Sequence, residues 1–283
     1  MSTISDPRRT HVHGMWAGVA AHWADHADAV DERSTELTAR MLVAAGIGPG
    51  QRVLELASGP GGAGLAAAAI VGDGGEVLVS DVAAEMVAIA AERAHARGLA
   101  NVRTAVLDLE DIDQPDGSFD AVLCREGLMF AVEPERAVAE IVRVLRPGGR
   151  LAAAVWGPQG DNPWLGLVFG AVSAEVGITL PPPGMPGPFA LGDAHRLHGL
   201  LTDAGCVDVA VGPIAVPLRT PSFEDWWARM TAIAGPLASI IAALDATKLA
   251  NVQAHLRGAV APYASAGGLE LPGVSLLASA RRP

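Results

Sequence analysis

The chain has 283 residues, of which half are hydrophobic and 18% are charged, so it can bury a sizeable core and is not intrinsically disordered as a whole. Its 20 basic and 31 acidic residues give a formal net charge of −11, which excludes a generic binder of nucleic-acid phosphates, because such a protein needs a basic face. The two cysteines, Cys124 and Cys206, are too few for a disulfide framework or a zinc site and favour a reducing cytoplasm.

The sequence predicts no export or membrane segment. Met1–Thr10 is polar and no apolar run follows it, so we expect no signal peptide. The longest helix-like apolar run, Met230–Leu244, is shorter than the roughly 20 residues that cross a bilayer. We therefore expect no membrane partner.

Residues 11–45 are predicted to form one or two helices, and an alternating region follows them. From Arg52 to Trp156, β-rich segments alternate with segments whose apolar residues have helical spacing. The predicted strands are Arg52–Leu56, Glu76–Ser80, Val102–Val106, Phe119–Leu123 and Arg150–Val155. The predicted helices are Gly64–Ile70, Ala84–Arg97 and Pro134–Leu145. This alternation predicts βαβ units and an α/β fold with a parallel sheet.

The rest of the chain is predicted to be more helical. We expect a helix and a proline-rich loop at 181–188, a helix near Ala194–Ala204, a strand near Val207–Val211, a helical section at Phe223–Ala261 and a last strand at Val274–Ala278. The predicted units are an N-terminal helical lid (1–45), a core (46–156), a cap insertion (157–188), a core continuation (189–216), a helical cap (217–267) and a last core strand (268–283). Most aromatic residues lie outside the core, where they either pack the cap helices or line a pocket for an apolar ligand.

A glycine-rich loop follows the first predicted strand. It runs Ala57-Ser58-Gly59-Pro60-Gly61-Gly62-Ala63-Gly64, and its glycines let a ligand approach the backbone at the start of a helix. Gly59, Gly61 and Gly64 with the later Asp81 also satisfy the dinucleotide fingerprint, so a nicotinamide-dependent oxidoreductase is an alternative. Glu55 at the strand end and the longer loop count against that alternative.

Further motifs follow at the ends of later strands. Asp81 ends the second strand and precedes Met86, and Asp108-Leu109 follows the third. The fourth strand has the lead-in Asp116-Gly117-Ser118-Phe119-Asp120 and runs to Cys124-Arg125-Glu126-Gly127. Through these motifs, 46–156 resembles the class I S-adenosylmethionine-dependent methyltransferases, especially the small-molecule branch that includes quinone-biosynthesis C-methyltransferases. Ala57 stands where that family has a glycine.

The resemblance implies a fold and a cofactor. The fold is a doubly wound, seven-stranded, mostly parallel Rossmann-like sheet of order 3-2-1-4-5-7-6, with a helical N-terminal lid and helical cap insertions. The cofactor is S-adenosylmethionine, which 46–156 would bind. The implied cofactor-binding residues are Glu55, Ala57, Ser58, Gly59, Gly61, Asp81, Val82, Met86, Asp108, Leu109 and Arg125.

Each implied role has a chemical reason. Asp81 would accept the ribose hydroxyls, and Asp108 the adenine amino group, while the N–H of Leu109 donates to the ring. Val82 and Met86 would sandwich the ring, and Glu55 would hold the tail ammonium directly or through water. The backbone of Ala57–Gly59 would pass close to the tail. Structural alternatives remain: Asp81 could cap the next helix, and Asp108 could serve in a turn.

The candidate catalytic residues are Glu126 and His22. Methyl transfer mainly needs alignment, and a base is needed only if the nucleophile must lose a proton. Glu126 lies just past the fourth strand, in the segment that faces the methyl group in the implied fold. It could instead form a loop-ordering ion pair with Arg125. His22 and His26 share a helix face, but without further ligands they predict no metal site.

We therefore predict an enzyme that transfers a methyl group from S-adenosylmethionine to an oxygen or carbon nucleophile. The acceptor is a small, apolar molecule, with no nucleic-acid partner, and the sequence leaves a homodimer open. A non-catalytic S-adenosylmethionine-binding module is the second alternative, beside the nicotinamide-dependent oxidoreductase.

Overall fold

The computed structural model describes residues 7–182 and 184–283. Residues 1–6 of the predicted lid and Pro183 of the predicted proline-rich loop lie outside the described residues. The strands are β1 (Arg52–Glu55), β2 (Glu76–Asp81), β3 (Val102–Val106), β4 (Phe119–Arg125), β5 (Leu145–Trp156), β6 (Val207–Ala215), β7 (Leu218–Thr220), β8 (Ala264–Ser265), β9 (Gly268–Leu271) and β10 (Val274–Arg281).

A seven-stranded sheet of order β3-β2-β1-β4-β5-β10-β6 forms the centre of the fold. Strands β1 to β5 pair in parallel, and β10 is antiparallel to both of its neighbours. Because β10 is the last strand of this sheet along the chain, the order is the predicted 3-2-1-4-5-7-6. The doubly wound, mostly parallel fold is thus confirmed.

Helices cover both faces of this sheet and add the lid and cap. They are α1 (Pro7–Arg33), α2 (Thr35–Ala44), α3 (Gly62–Val71), α4 (Ala84–Ala96), α5 (Pro134–Val144), α6 (Pro163–Val176), α7 (Ala194–Asp203), α8 (Phe223–Ile233), α9 (Pro236–Ala242) and α10 (Ala246–Val260). None of the helices within the described ranges is long and apolar enough to cross a membrane.

The central strands are apolar because helices cover both faces of the sheet. Val53 and Leu54 of β1 are buried, as are consecutive residues from Ala121 to Cys124 of β4. Helix α5 shows the matching pattern, since Ala137, Ile141 and Val144 recur at helical spacing on its buried face. Strand β1 lies between β2 and β4. The chain runs from β1 outwards to β2 and β3, and it then crosses back to add β4 on the other side of β1. This switch point opens a crevice at the carboxyl ends of the strands.

The cap contains a small sheet that the sequence analysis did not predict. Strands β7, β9 and β8 pair in that order as a three-stranded antiparallel sheet. They lie in the segments interpreted as the helical cap (217–267) and the last core strand (268–283). Strands this short cannot display the alternation of apolar and polar residues that identifies a strand in a sequence.

Candidate functional site

A cavity lies at the carboxyl ends of β1 to β4. The loops after these parallel strands meet at one edge of the sheet, so residues far apart in the chain come together there. The predicted site residues that line the cavity are Ala57, Ser58, Gly59, Asp81, Val82, Met86, Asp108, Leu109, Arg125 and Glu126. Three others, Glu55, Gly61 and His22, do not line it.

Asp81 ends β2 with a buried and fixed carboxylate. Its Oδ2 accepts the N–H of Gly59 at 2.8 Å, and its Oδ1 accepts the N–H of Ala83 at 3.0 Å. Burial raises the pKa of Asp81, while the backbone N–H groups of Ala83 and Gly59 act in the opposite direction. Each carboxylate oxygen retains a lone pair, so Asp81 can accept two more hydrogen bonds from a ligand in the cavity.

The loop after β1 turns through left-handed backbone conformations. Ala57 has a φ of 50°, and Gly59 has a φ of 52°. A side chain in this conformation costs about 1–2 kcal/mol, so alanine at position 57 places a strained backbone beside the cavity. A Cβ added to Gly59 would meet no atom within 4 Å, which shows open space next to the loop.

Glu55 and Gly61 support the loop from beneath. Glu55 is 1% exposed, and its Oε1 accepts the N–H of Ala63 at 3.1 Å, at the start of α3. Its Oε2 is buried without a hydrogen-bond partner, and a Cβ on Gly64 would collide with it. Burial raises the pKa of Glu55 to about 7. Gly61, with a φ of 87°, packs against Ala90.

Helix α1 lies over the cavity and contacts Asp108. The guanidinium of Arg9 forms an ion pair with Asp108 Oδ2, and Nε2 of His13 lies 3.2 Å from the same oxygen. Among the described residues, Asp108 Oδ1 accepts the N–H of Glu110, at 2.8 Å, and no other donor, so it can take a further one. Glu110 also lines the cavity and has a buried Oε2 without a partner. Glu110 was not among the residues predicted from the sequence, although an acidic residue directly after the Asp108-Leu109 motif was a usable signal.

Arg125 pairs with a carboxylate of α1 rather than with its neighbour Glu126. Its Nη2 donates to Asp31 at 2.9 Å, and its Nη1 donates to Thr38 at 2.9 Å. Asp31 also accepts from Arg93 at 2.7 Å. Burial alone would raise the pKa of Asp31, but the two arginines lower it on balance. This network fixes the end of α1 against β4 and α4.

Glu126 follows β4 in a strained conformation with a φ of 59°. Its N–H donates to Ala154 at 2.7 Å, and its Oε1 accepts from the hydroxyl of Ser275 at 3.1 Å. Burial raises the pKa of Glu126, while the charges of Arg125 and Arg33 act against that rise. Backbone strain of this kind concentrates at functional sites. The carboxyl group of Glu126 lies in the cavity wall.

A second cavity adjoins the first. Its aromatic lining comes from α1, the segment after β4, the end of β5 and α6, and consists of Trp16, Trp23, Phe130, Trp156 and Trp164. The residues that line both cavities are Trp16, Trp23, Val30, Glu126 and Phe130. The two cavities therefore meet at Glu126.

His22 lies on the exposed face of α1 and lines neither cavity. The same helix directs Val12, Trp16 and Trp23 towards the first cavity, and helical periodicity turns His22 away from it.

Within the described parts of the chain, no group of three or more His, Cys, Asp or Glu residues could hold a metal ion. Cys124 and Cys206 are buried and free, and burial raises the pKa of Cys124 to about 12.

Comparison with known proteins supports, for the core, the family resemblance that the sequence motifs indicated. Residues 54–153 match the family model described as "Methyltransferase domain". The chain is 37% identical over 129 residues to a ubiquinone/menaquinone biosynthesis C-methyltransferase (UbiE) of Azotobacter vinelandii. That match covers 45% of this chain and 51%, or about half, of the relative.

Two further matches extend over more of the chain. An uncharacterized protein of Mycobacterium tuberculosis is 33% identical over 214 residues, which cover 73% of this chain and 76% of that protein. The crystal structure of the YcgJ protein of Bacillus subtilis superimposes with a TM-score of 0.59 at 20% identity, covering 87% of this chain and 97% of that one. The structural match shows that the fold is shared.

Proposed function

The chain belongs to the class I S-adenosylmethionine-dependent methyltransferases, and we propose that it transfers the methyl group of S-adenosylmethionine to a carbon or oxygen atom of a small, apolar acceptor. The observation that carries this proposal is the first cavity, which is lined by residues that follow four parallel strands. These residues come along the chain in the order in which the motifs of this family occur. When bound, the cofactor supplies an electrophilic methyl group on a sulfonium.

The described residues fit this cofactor. Asp81 has a spare acceptor site on each oxygen for the ribose diol, and Val82 and Met86 offer an apolar surface for the adenine ring. Asp108 Oδ1 can accept the adenine amino group while the N–H of Leu109 donates to the ring. Glu55 is buried beneath the loop after β1. It would act on the amino-acid tail of the cofactor indirectly, by fixing the start of α3.

Glu126 is the residue that we propose as general base. It lies where the two cavities meet, so it can contact an acceptor in one cavity beside a cofactor in the other. A carboxyl group whose pKa is raised by burial accepts a proton more readily near neutral pH than an exposed one. The Ser275 hydroxyl holds it in orientation. Glu126 would remove the proton from a hydroxyl group or from an acidic carbon.

The acceptor belongs in the aromatic-lined second cavity. The lining favours an apolar body, and the similarity to C-methyltransferases of ubiquinone and menaquinone biosynthesis supports carbon as the accepting atom. The net charge of −11 supports a small molecule over a nucleic acid. The buried, unpaired cysteines support action in a reducing cytoplasm.

Transfer of labelled methyl groups tests this proposal. The wild-type protein is incubated with S-adenosylmethionine labelled at the methyl group and with a low-molecular-weight cell extract. We expect label in an organic-extractable product and an equal amount of S-adenosylhomocysteine. If the protein binds S-adenosylhomocysteine but no label moves, the chain is a non-catalytic binding module.

A further inference from the structure

We propose that Arg33 recognises an anionic oxygen group of the methyl acceptor in the second cavity, so that the acceptor is an apolar, aromatic molecule bearing a carboxylate or a comparably acidic hydroxyl. This inference rests on the proposed function, because it assigns the second cavity to the acceptor. The support comes from the unpaired charge of Arg33, its fixed position in the cavity wall and the separate position of Glu126.

Arg33 is a half-buried cation that forms no salt bridge with any described residue, although the charge of the nearby Glu126 acts on it. Its Nη2 donates to the carbonyl of Val216 at 3.1 Å, whereas its Nε is buried and has no hydrogen-bond partner. In the described portion of the chain, no Asp or Glu oxygen lies within 4.0 Å of its guanidinium nitrogens, and the nearby Glu126 lines the same cavity. Burial lowers the pKa of Arg33 to about 10, so it stays protonated at neutral pH. A charge buried in this way is costly unless a partner of opposite charge binds beside it.

The position of Arg33 is fixed before any ligand arrives. Its guanidinium carbon lies 4.0 Å from the ring centre of Trp164 and 4.8 Å from that of Trp156. Asn162 holds Trp164, since its Oδ1 accepts the indole N–H at 3.0 Å. The two indoles contact each other edge to face, with ring centres 4.7 Å apart, and the guanidinium packs against both rings, which restricts its position. A planar guanidinium held in this way suits a carboxylate, which it can bind through two parallel hydrogen bonds.

Glu126 and Arg33 occupy different parts of the acceptor path. Glu126 lines both cavities, whereas Arg33 lines only the second. An acceptor whose acidic group contacts Arg33 would therefore extend its reacting atom towards Glu126 and the first cavity.

A pair of probes that differ in charge tests this inference. Binding of 1-hydroxy-2-naphthoic acid and of 1-hydroxy-2-naphthamide is measured by calorimetry with the protein saturated with S-adenosylhomocysteine. The two probes have nearly the same size and aromatic surface, but only the acid is anionic at neutral pH. We expect the wild-type protein to bind the acid about 10-fold or more tightly than the amide.

Two variants separate recognition by Arg33 from general electrostatics. Arg33→Met keeps a long, unbranched side chain and removes the charge, so it should abolish the preference for the acid. Arg229 of α8 lines neither cavity, but its positive charge acts on Arg33, so Arg229→Gln tests whether a nearby charge alone accounts for the preference. This variant should keep the preference for the acid. If Arg33→Met does not fold, Arg33→Gln, which keeps a polar side chain but removes the charge, takes its place in the same comparison.

The outcomes distinguish this inference from the proposed function. Equal affinity of the wild-type protein for the two probes, including no binding of either, would overturn the role of Arg33, as would a preference that survives in Arg33→Met. Failure of the wild-type protein to bind S-adenosylhomocysteine would overturn the proposed function itself. Unchanged affinity of both variants for S-adenosylhomocysteine is the expected control result.

Discussion

Replacing Glu55 by Gln should make the stability of the protein less dependent on pH. Glu55 is buried beneath the loop after β1, where its Oε1 accepts from Ala63 and its Oε2 has no partner. Gln retains an oxygen for the N–H of Ala63 but never ionises. The difference in stability between the two proteins as pH changes therefore reports the ionisation of Glu55 alone.

The expected size follows from the pKa of Glu55. Burial raises this pKa from 4.5 to about 7 in the folded protein, so between these values the folded state binds more protons than the unfolded state. The contribution of protonated Glu55 to the free energy of unfolding is thus fully present below about pH 4.5, and it is lost as the pH rises through about 7. The rise in pKa corresponds to about 3 kcal/mol.

Urea unfolding followed by tryptophan fluorescence measures this effect. The free energy of unfolding of the wild-type protein, relative to Glu55→Gln, should fall by about 3 kcal/mol from acidic to slightly alkaline pH. Glu140→Gln is the matched control: a hydrogen bond from Arg143 lowers the pKa of Glu140, so its contribution should instead be lost as pH falls. A difference between wild type and Glu55→Gln that is constant across this range would refute the reasoning.

Three further predictions concern the catalytic base, the loop and the lid. Glu126→Gln should lower kcat by about 10²–10⁴ in steady-state assays with little change in cofactor affinity; a loss of cofactor affinity instead would assign Glu126 to the cofactor. Ala57→Gly should raise the free energy of unfolding by about 1 kcal/mol in urea titrations, because it relieves the left-handed backbone; a decrease would show that Ala57 contributes packing that outweighs the strain. The amides of α1 should gain hydrogen-exchange protection when S-adenosylhomocysteine binds, and equal protection with and without ligand would mean that α1 does not act as a lid.

The lining of the first cavity was largely predictable because its residues belong to short local motifs. Asp81 and Asp108 each follow a strand whose apolar run is visible in the sequence, and parallel strands bring their ends to one edge of the sheet. Glu55 belongs to the same motif, but the sequence does not reveal how deeply it is buried. Its close approach to α3 depends on Gly64 having no side chain, which is a three-dimensional property.

The second cavity, where we propose that the acceptor binds, could not be predicted in the same way. Arg33, Trp164 and Met230 lie far apart in the chain, on three helices that no shared motif connects. The sequence indicated only that aromatic residues concentrate outside the core. Their convergence depends on tertiary contacts such as the hydrogen bond from the indole of Trp23 to Ile233 at 3.2 Å, which links α1 to α8.

Calorimetric titration with S-adenosylhomocysteine and with NAD tests the central claim most directly. The wild-type protein should bind S-adenosylhomocysteine at a single site and should not bind NAD. Asp81→Ala should remain folded, because Asp81 lies at a strand end, and should lose about 2–4 kcal/mol of S-adenosylhomocysteine affinity through the lost charge-assisted hydrogen bonds. Binding of NAD in place of S-adenosylhomocysteine, or unchanged affinity in a folded Asp81→Ala variant, would contradict a methyl-donor site at the ends of β1 to β4.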